Sequence, residues 1–293
     1  AQQYAEKAIN NPYGVIESTR DAAQLSKGAG VSLRNPLVII NGSYNDVRMG
    51  AEISSYLKGY NDPRIASYFV KAKNNGIEGY YAVRTNIPTT DDYLDKAKSS
   101  SLNVQDGTPI YIMKASEVYF LRAEGALRGW NMGGGTAQSY YEKGIATSFE
   151  ENDLSASQAA AYAANSTATP ANFVDALHSE YDTPATSTIT IKWETGAINF
   201  ERNLERIITQ KYLAIYPDGQ EAWSEYRRTG YPHIFPAVLT ATDCDVDGDL
   251  RPTRIPYSND EYIKNLANVK KAVQLLHGAD NGATRLWWDK KVK

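Results

Sequence analysis

From Ile112 onward the chain carries a clean helical pattern, and this most restricts the architectures open to it. Ile112, Ala115, Val118, Leu121 and Leu127 recur at helical spacing, with Lys114, Glu117, Arg122 and Glu124 interleaved. That spacing lays one apolar stripe along a helix. Gly129 predicts its end, the loop 131–135 follows, and Thr136 is placed to cap a second helix over 137–150. Gly125, Ala137, Tyr141 and Gly144 match part of the tetratricopeptide pattern, in which small residues let two helices approach and an aromatic fills the groove. The match is partial, since Arg128 stands at an aromatic position and Phe149 at the terminal proline. Repeat folds of this kind need about three units, so more helices are expected around this hairpin.

The rest of the chain supplies them unevenly. A short amphipathic helix is expected over 1–10, from Tyr4, Ala5, Ala8 and Ile9, with Asn11-Pro12-Tyr13-Gly14 stopping it. A helix that short needs packing, and this chain starts with a helix under way, without Met or a signal peptide, which reads as a truncated chain. Residues 29–110 read as loop-rich, with a buried strand at Leu37–Ile40, a helix from Met49 to Leu57 ended by Gly59 in a left-handed conformation, and a turn at Asn61-Asp62-Pro63-Arg64 in which Pro63 opens a helix. Beyond the hairpin, helices are expected over 156–164, 171–181, 204–216 and 220–228. A long one over about 260–277 buries Tyr262, Ile263, Leu266, Val269, Val273 and Leu276. The fold class is therefore mainly α: tetratricopeptide-like hairpins with a loop-rich lobe and a few short strands. The expected division is 1–111 as the lobe, 112–150 as the hairpin and 151–293 as a helical and loop remainder, with no linker between them.

Composition removes several function classes. With 31 Lys+Arg against 34 Asp+Glu the net charge is −3, which lacks the basic face of a nucleic-acid binder. No run of about 18 apolar residues marks a membrane-spanning helix. One cysteine, Cys244, excludes an internal disulfide framework, and three histidines in unrelated segments (His178, His233, His277) give no zinc motif. The balance of 21 Tyr against 6 Phe is unusual, and tyrosine suits both wet interfaces and carbohydrate faces.

The motifs that carry chemistry are few. Gly133-Gly134-Gly135-Thr136 precedes a helix but lacks the Lys-Ser/Thr of a phosphate loop, and Gly28-Ala29-Gly30 lacks the third glycine of a dinucleotide fingerprint. The run from Asp243 to Asp249 begins like a calcium loop, yet Arg254 stands where the bidentate Glu belongs, so a solvated acidic loop is the better reading. No nucleophile elbow exists, Cys244 lies among aspartates that suppress its thiolate, and no carboxylate pair is singled out for glycoside hydrolysis. No catalytic residue, metal or cofactor is expected.

Binding is better supported than catalysis. Tyr80 and Tyr81, with Asn74 and Arg84 nearby, combine aromatic plates with hydrogen-bonding groups, the mixture that a sugar's C–H face and hydroxyls require. Trp193, in a strand-like run from Thr188, reads equally as core or as a ligand platform. Trp223, Trp287 and Trp288 read as buried packing, and Trp130 as a plug at the hairpin turn.

Several stretches, in order from about residue 44 to the end, resemble the C-terminal portion of the SusD/RagB family of nutrient-binding outer-membrane lipoproteins. They are Tyr56-Leu57-Lys58-Gly59-Tyr60-Asn61-Asp62-Pro63-Arg64, the segment Met113 to Glu124, and Tyr141-Glu142-Lys143-Gly144-Ile145. The sharpest are Ile208-Thr209-Gln210-Lys211-Tyr212, Asp218-Gly219-Gln220-Glu221-Ala222-Trp223 and Arg227-Arg228-Thr229-Gly230-Tyr231-Pro232. Arg254-Ile255-Pro256-Tyr257 and Leu286-Trp287-Trp288-Asp289-Lys290 complete the set.

The resemblance implies a lipid-anchored protein on the extracellular face of the outer membrane, its anchor N-terminal to this chain, seated on a SusC-like TonB-dependent transporter. It implies non-catalytic capture of glycans or oligosaccharides for import. A peptide-binding uptake subunit and a helical lid without substrate contact remain as alternatives. The family motifs are chiefly structural and carry no binding residues across. The binding expectation therefore rests on Tyr80, Tyr81, Arg84, Asn74 and Trp193.

Overall fold

The computed structural model describes residues 1–26, 34–88, 90–95, 97–196, 199–238 and 251–289. Among them lie helices α1 (Gln2–Ile9), α2 (Pro36–Gly42), α3 (Ala51–Gly59), α4 (Ile65–Tyr68), α5 (Asp91–Leu94), α6 (Ala115–Leu127) and α7 (Ala137–Glu150). They continue with α8 (Ala156–Ala163), α9 (Phe200–Ala214), α10 (Gly219–Thr229), α11 (Asn259–Lys264) and α12 (Leu266–Leu275). Four short strands form two antiparallel pairs: β1 (Ala23–Leu25) with β4 (Ile110–Met113), and β2 (Ala72–Asn74) with β3 (Ile77–Gly79). The molecule is mainly helical, as expected.

The α6–α7 hairpin forms where the spacing placed it. Thr136 accepts a hydrogen bond from Ser139 N at 3.1 Å and starts α7, while Gly129 takes φ +79° just beyond α6. A Cβ at Gly144 would sit 2.8 Å from the Phe120 ring, and one at Gly125 would meet the Met132 side chain, so both positions need the missing side chain for close approach. Helix α9 packs on α6 and α7 and brings Leu204, Ile207, Ile208 and Leu213 into the core.

Buried charge locks these helices. The Arg64 guanidinium is bound by Asp62 (2.5 Å), Ser148 on α7 (2.9 Å) and Gln210 on α9 (3.0 Å), and lies over the rings of Phe149 and Tyr162. Burial alone would lower its pKa, but the Asp62 carboxylate outweighs burial and raises it. Lys211 on α9 sits among Glu117, Glu221 and Glu225 at 3.3, 2.6 and 3.3 Å, and Arg228 grips both oxygens of Glu124 at 2.6 Å. These pairs tie α6, α9 and α10 together.

Tyrosines tie the loops to this frame. Ring burial places each hydroxyl on a carbonyl: Tyr56 to His233 (2.8 Å), Tyr60 to Ile189 (3.0 Å), Tyr68 to Leu213 (2.8 Å) and Tyr141 to Ile191 (2.6 Å). Phenylalanine would fill the same space and leave these carbonyls unpaired, which explains much of the tyrosine excess.

Several elements differ from the sequence expectation. Residues 37–40 are helical, not a strand: Asn35 accepts from Leu37 N and Pro36 opens the helix, a start signal that the apolar run concealed. Ile112 lies in β4 and is 67 % exposed, and α6 begins only at Ala115. Gly59 is not left-handed. Its Cβ would run into the backbone of Thr169 and Ala171, so it serves close approach, and Asn61 takes the positive φ of 50°.

Helix α4 starts at Ile65, beyond Pro63. Residues 171–181 are not an α-helix, because Asp175 accepts from the amides of Leu177 and His178 and folds them into a turn. The long helix over 260–277 is broken at Asn265 into α11 and α12. Val269 is its one buried residue, while Ile263 and Leu275 are more than three-quarters exposed. Trp287 is 82 % exposed, and Trp223 is half-buried beneath the Arg227 guanidinium at 3.8 Å. The segments 28–30 and 243–249, with Cys244, lie outside the described residues.

Candidate functional site

Residues 72–79 form a β-hairpin inside the stretch 29–110 that the sequence marks as loop-rich. Asn75 (φ 49°) and Gly76 (φ 82°) make its two-residue turn, the left-handed pair that an Asn-Gly dipeptide favours. Tyr80 and Tyr81 leave the end of β3. Both are half-buried. Tyr80 lies 6.0 Å from the Lys71 ammonium, and burial raises its hydroxyl pKa. Tyr81 is fixed at both ends, its amide donating to Ser100 Oγ (3.0 Å) and its hydroxyl to Ile77 O (3.1 Å).

Asn74 and Arg84 are placed differently. Both are buried and serve as struts. Asn74 Nδ2 donates to Ala176 O at 3.2 Å, and Arg84 donates to Pro236 O (2.6 Å) and Tyr181 O (3.4 Å) while covering the Phe235 ring. Desolvation lowers the Arg84 pKa, partly opposed by Glu52. Together they hold the segment around 175–181 against the hairpin lobe. Tyr93, which sequence reasoning passed over, adds a third tie through its bond to Asp175 (3.0 Å) and packs against His178. A cleft of about 460 Å³ opens beside Arg84, walled by Met49, Gly50, Val83, Thr85, Ile87 and Tyr93.

Trp193 is not part of this group of contacts. It packs tilted on Tyr141 at 5.4 Å, next to Glu194, whose carboxylate is held by Arg202 (2.8 Å) and Arg206. Those hydrogen bonds, that of Arg202 foremost, lower the Glu194 pKa to about 2. The structure thus joins Asn74, Tyr80, Tyr81 and Arg84 in one lobe and sets Trp193 on the helical frame. The glycine-rich turn before α7 uses its amides internally, Gly133 N on Asn131 and Gly135 N on Tyr140. Among the described residues no group of three or more His, Cys, Asp or Glu is arranged to hold a metal ion, and no helix is long and apolar enough to cross a membrane.

Helical hairpins with a loop-rich lobe packed beside them place the fold in the tetratricopeptide-like helical class. The chain belongs to the SusD-like family, described as the SusD and RagB outer membrane lipoproteins, whose model matches residues 1–289. It is similar to the crystal structure of a SusD homologue from Bacteroides thetaiotaomicron VPI-5482, with 41 % identity and a TM-score of 0.90 over 99 % of this chain and 60 % of that one. It is equally similar to a chitin-binding SusD homologue from Flavobacterium johnsoniae, with 42 % identity and a TM-score of 0.90 over 99 % of this chain and 59 % of that one. A SusD homologue from Bacteroides vulgatus ATCC 8482 matches at 38 % identity and a TM-score of 0.88, over 99 % of this chain and 58 % of that one. The chain therefore spans about 60 % of the length of these relatives. No curated protein matches it.

Proposed function

We propose that this protein captures oligosaccharides at the extracellular face of the outer membrane, held there by an N-terminal lipid anchor, and delivers them without catalysis to a SusC-like TonB-dependent transporter. The observation that carries this reading is the 42 % identity, over 99 % of the chain, to a SusD homologue that binds chitin. It favours glycans built from N-acetylglucosamine. In this reading Tyr80 and Tyr81 present aromatic faces to the sugar, and Asn74 and Arg84 hold the lobe in the shape that presents them. Trp193, set apart on the helical frame against Tyr141, offers a separate aromatic contact.

Calorimetric titration of the full-length protein with oligosaccharides of different linkage tests the reading. Binding of peptides with no response to any oligosaccharide would replace it with a peptide-uptake subunit. Tyr80→Ala and Tyr81→Ala should each weaken oligosaccharide binding with little change in the unfolding midpoint. Unaltered uptake in both variants would instead indicate a lid that never touches substrate.

A further inference from the structure

A second cleft, of about 380 Å³, lies where the start of α6 meets the end of α9, and it shares no lining residue with the cleft beside Arg84. Its volume falls within the range of about 300–1,000 Å³ typical of small-molecule sites. Its wall is apolar where Leu37 of α2, Val104 and Ile215 line it. Leu37 and Val104 are only half-buried, so the cleft leaves apolar surface open to water. A ligand with a small apolar group gains by covering it.

The aromatic part of the wall is fixed in advance. Lys114, 7 % exposed, donates to Ala214 O (2.8 Å) and Tyr216 O (3.0 Å), and its ammonium lies 5.0 Å from the Tyr111 ring. Tyr216 is in turn packed against Tyr68 and Phe69 at 4.8 and 5.1 Å. One buried cation thus positions two rings that line the cleft, which lowers the ordering cost of binding.

The cleft also keeps unused hydrogen-bonding atoms. Asn103 commits Nδ2 to Ala66 O (3.2 Å) and keeps its Oδ1. Asp218 commits Oδ1 to Glu221 N (3.0 Å) and keeps its Oδ2. The Ser67 hydroxyl has no partner among the described residues. Apolar wall, aromatic rings and open polar atoms together match one kind of sugar. A plain hexose surrounds its ring with hydroxyls and leaves the Leu37–Val104 surface uncovered. An acetamido substituent supplies a methyl for that surface and an amide for the acceptors beside it.

We propose that this cleft is a subsite for a 2-acetamido sugar residue, its acetyl methyl against Leu37 and Val104 and its polar groups on Asn103, Asp218 and Ser67. The proposal rests on the oligosaccharide reading above and goes beyond it by placing an N-acetyl-specific contact away from Tyr80 and Tyr81.

The test is titration of the full-length protein with chitotriose and with cellotriose, trimers of the same linkage that differ by the acetamido groups. Chitotriose should bind roughly tenfold or more tighter, the discrimination expected of a fitted apolar group. Val104→Trp, which fills the cleft, should abolish that difference. Asn103→Ala alters only an exposed side chain and should weaken chitotriose several-fold, which covers the case where the tryptophan disturbs folding. Chitotriose binding that Tyr80→Ala or Tyr81→Ala weakens, while Val104→Trp and Asn103→Ala leave it intact, would overturn the subsite and leave the oligosaccharide reading standing. Absence of all oligosaccharide binding, with a leucine-bearing peptide bound and displaced by Val104→Trp, would overturn both.

Discussion

Replacing Asp62 with Asn probes the fold at an ion pair whose two side chains are both fully buried. Arg64 is 0 % exposed and Asp62 1 %, so neither charge has water to fall back on. The change keeps the shape of residue 62 and removes its negative charge, leaving the guanidinium with only neutral partners: Ser148, Gln210 and Tyr162. Breaking a buried pair by removing one partner costs about 3–5 kcal/mol, a large part of the roughly 5–15 kcal/mol that holds a typical domain together. Urea unfolding of the full-length protein, followed by tryptophan fluorescence, should show the midpoint falling with an unchanged slope. The double variant Asp62→Leu with Arg64→Met should recover most of that loss, because no unpaired charge remains. A loss under about 1 kcal/mol for Asp62→Asn, or a double variant worse than the single, would refute the assignment of this cost to an uncompensated charge.

The other predictions address pH, packing and the tyrosine ties. Burial lowers the Lys114 pKa to about 8, against about 10.4 for an unfolded lysine, so between these values the unfolded chain binds more protons and stability should rise with pH. Chemical denaturation of the protein and of Lys114→Met between pH 8 and 9.5 should show the difference between them moving in the protein's favour as pH rises. For the protein itself the sign reverses as pH approaches about 10, because unfolded tyrosines ionise while burial keeps those of the fold protonated, Tyr68 up to about 12. Gly144→Ala would place a methyl 2.8 Å from the Phe120 ring and should cost about 1–3 kcal/mol in urea unfolding, whereas Gly134→Ala meets no atom and should show only the strain of its φ of +88°. Tyr141→Phe leaves Ile191 O without its donor and should cost about 1–3 kcal/mol by the same measurement.

The helices that sequence located were those whose signals lie within one turn of their ends. Thr136 with Gly129 bounds the turn of the α6–α7 hairpin, Asp218 and Gly230 bound α10, and each cap acts on backbone groups three or four residues away. The errors share a different cause. Residues 37–40 were apolar without a period, so strand and helix could not be separated by pattern, and only the Asn35-Pro36 start decides. The Asn75-Gly76 turn is legible in principle, since that dipeptide between short extended runs is a hairpin signal, but the loop-rich reading of 29–110 passes over it. The apolar face of 260–277 was real in sequence, yet burial requires a partner surface, and Val269 alone finds one.

For the candidate site the division is sharper. Residue type makes Asn74, Tyr80, Tyr81 and Arg84 candidates for a sugar, and nothing local shows which polar atoms other segments claim. Ala176, Tyr181 and Pro236, about 100 to 150 residues away, take up Asn74 and Arg84. The acceptors of Tyr56, Tyr60 and Tyr141 are likewise remote carbonyls, so the tyrosine surplus has its structural meaning only after folding. Sequence by itself determined the helical frame, because caps and helix periods are short-range. Tertiary structure alone decided which polar side chains are struts and which remain open to a ligand, because buried donors and acceptors are paired across the whole chain.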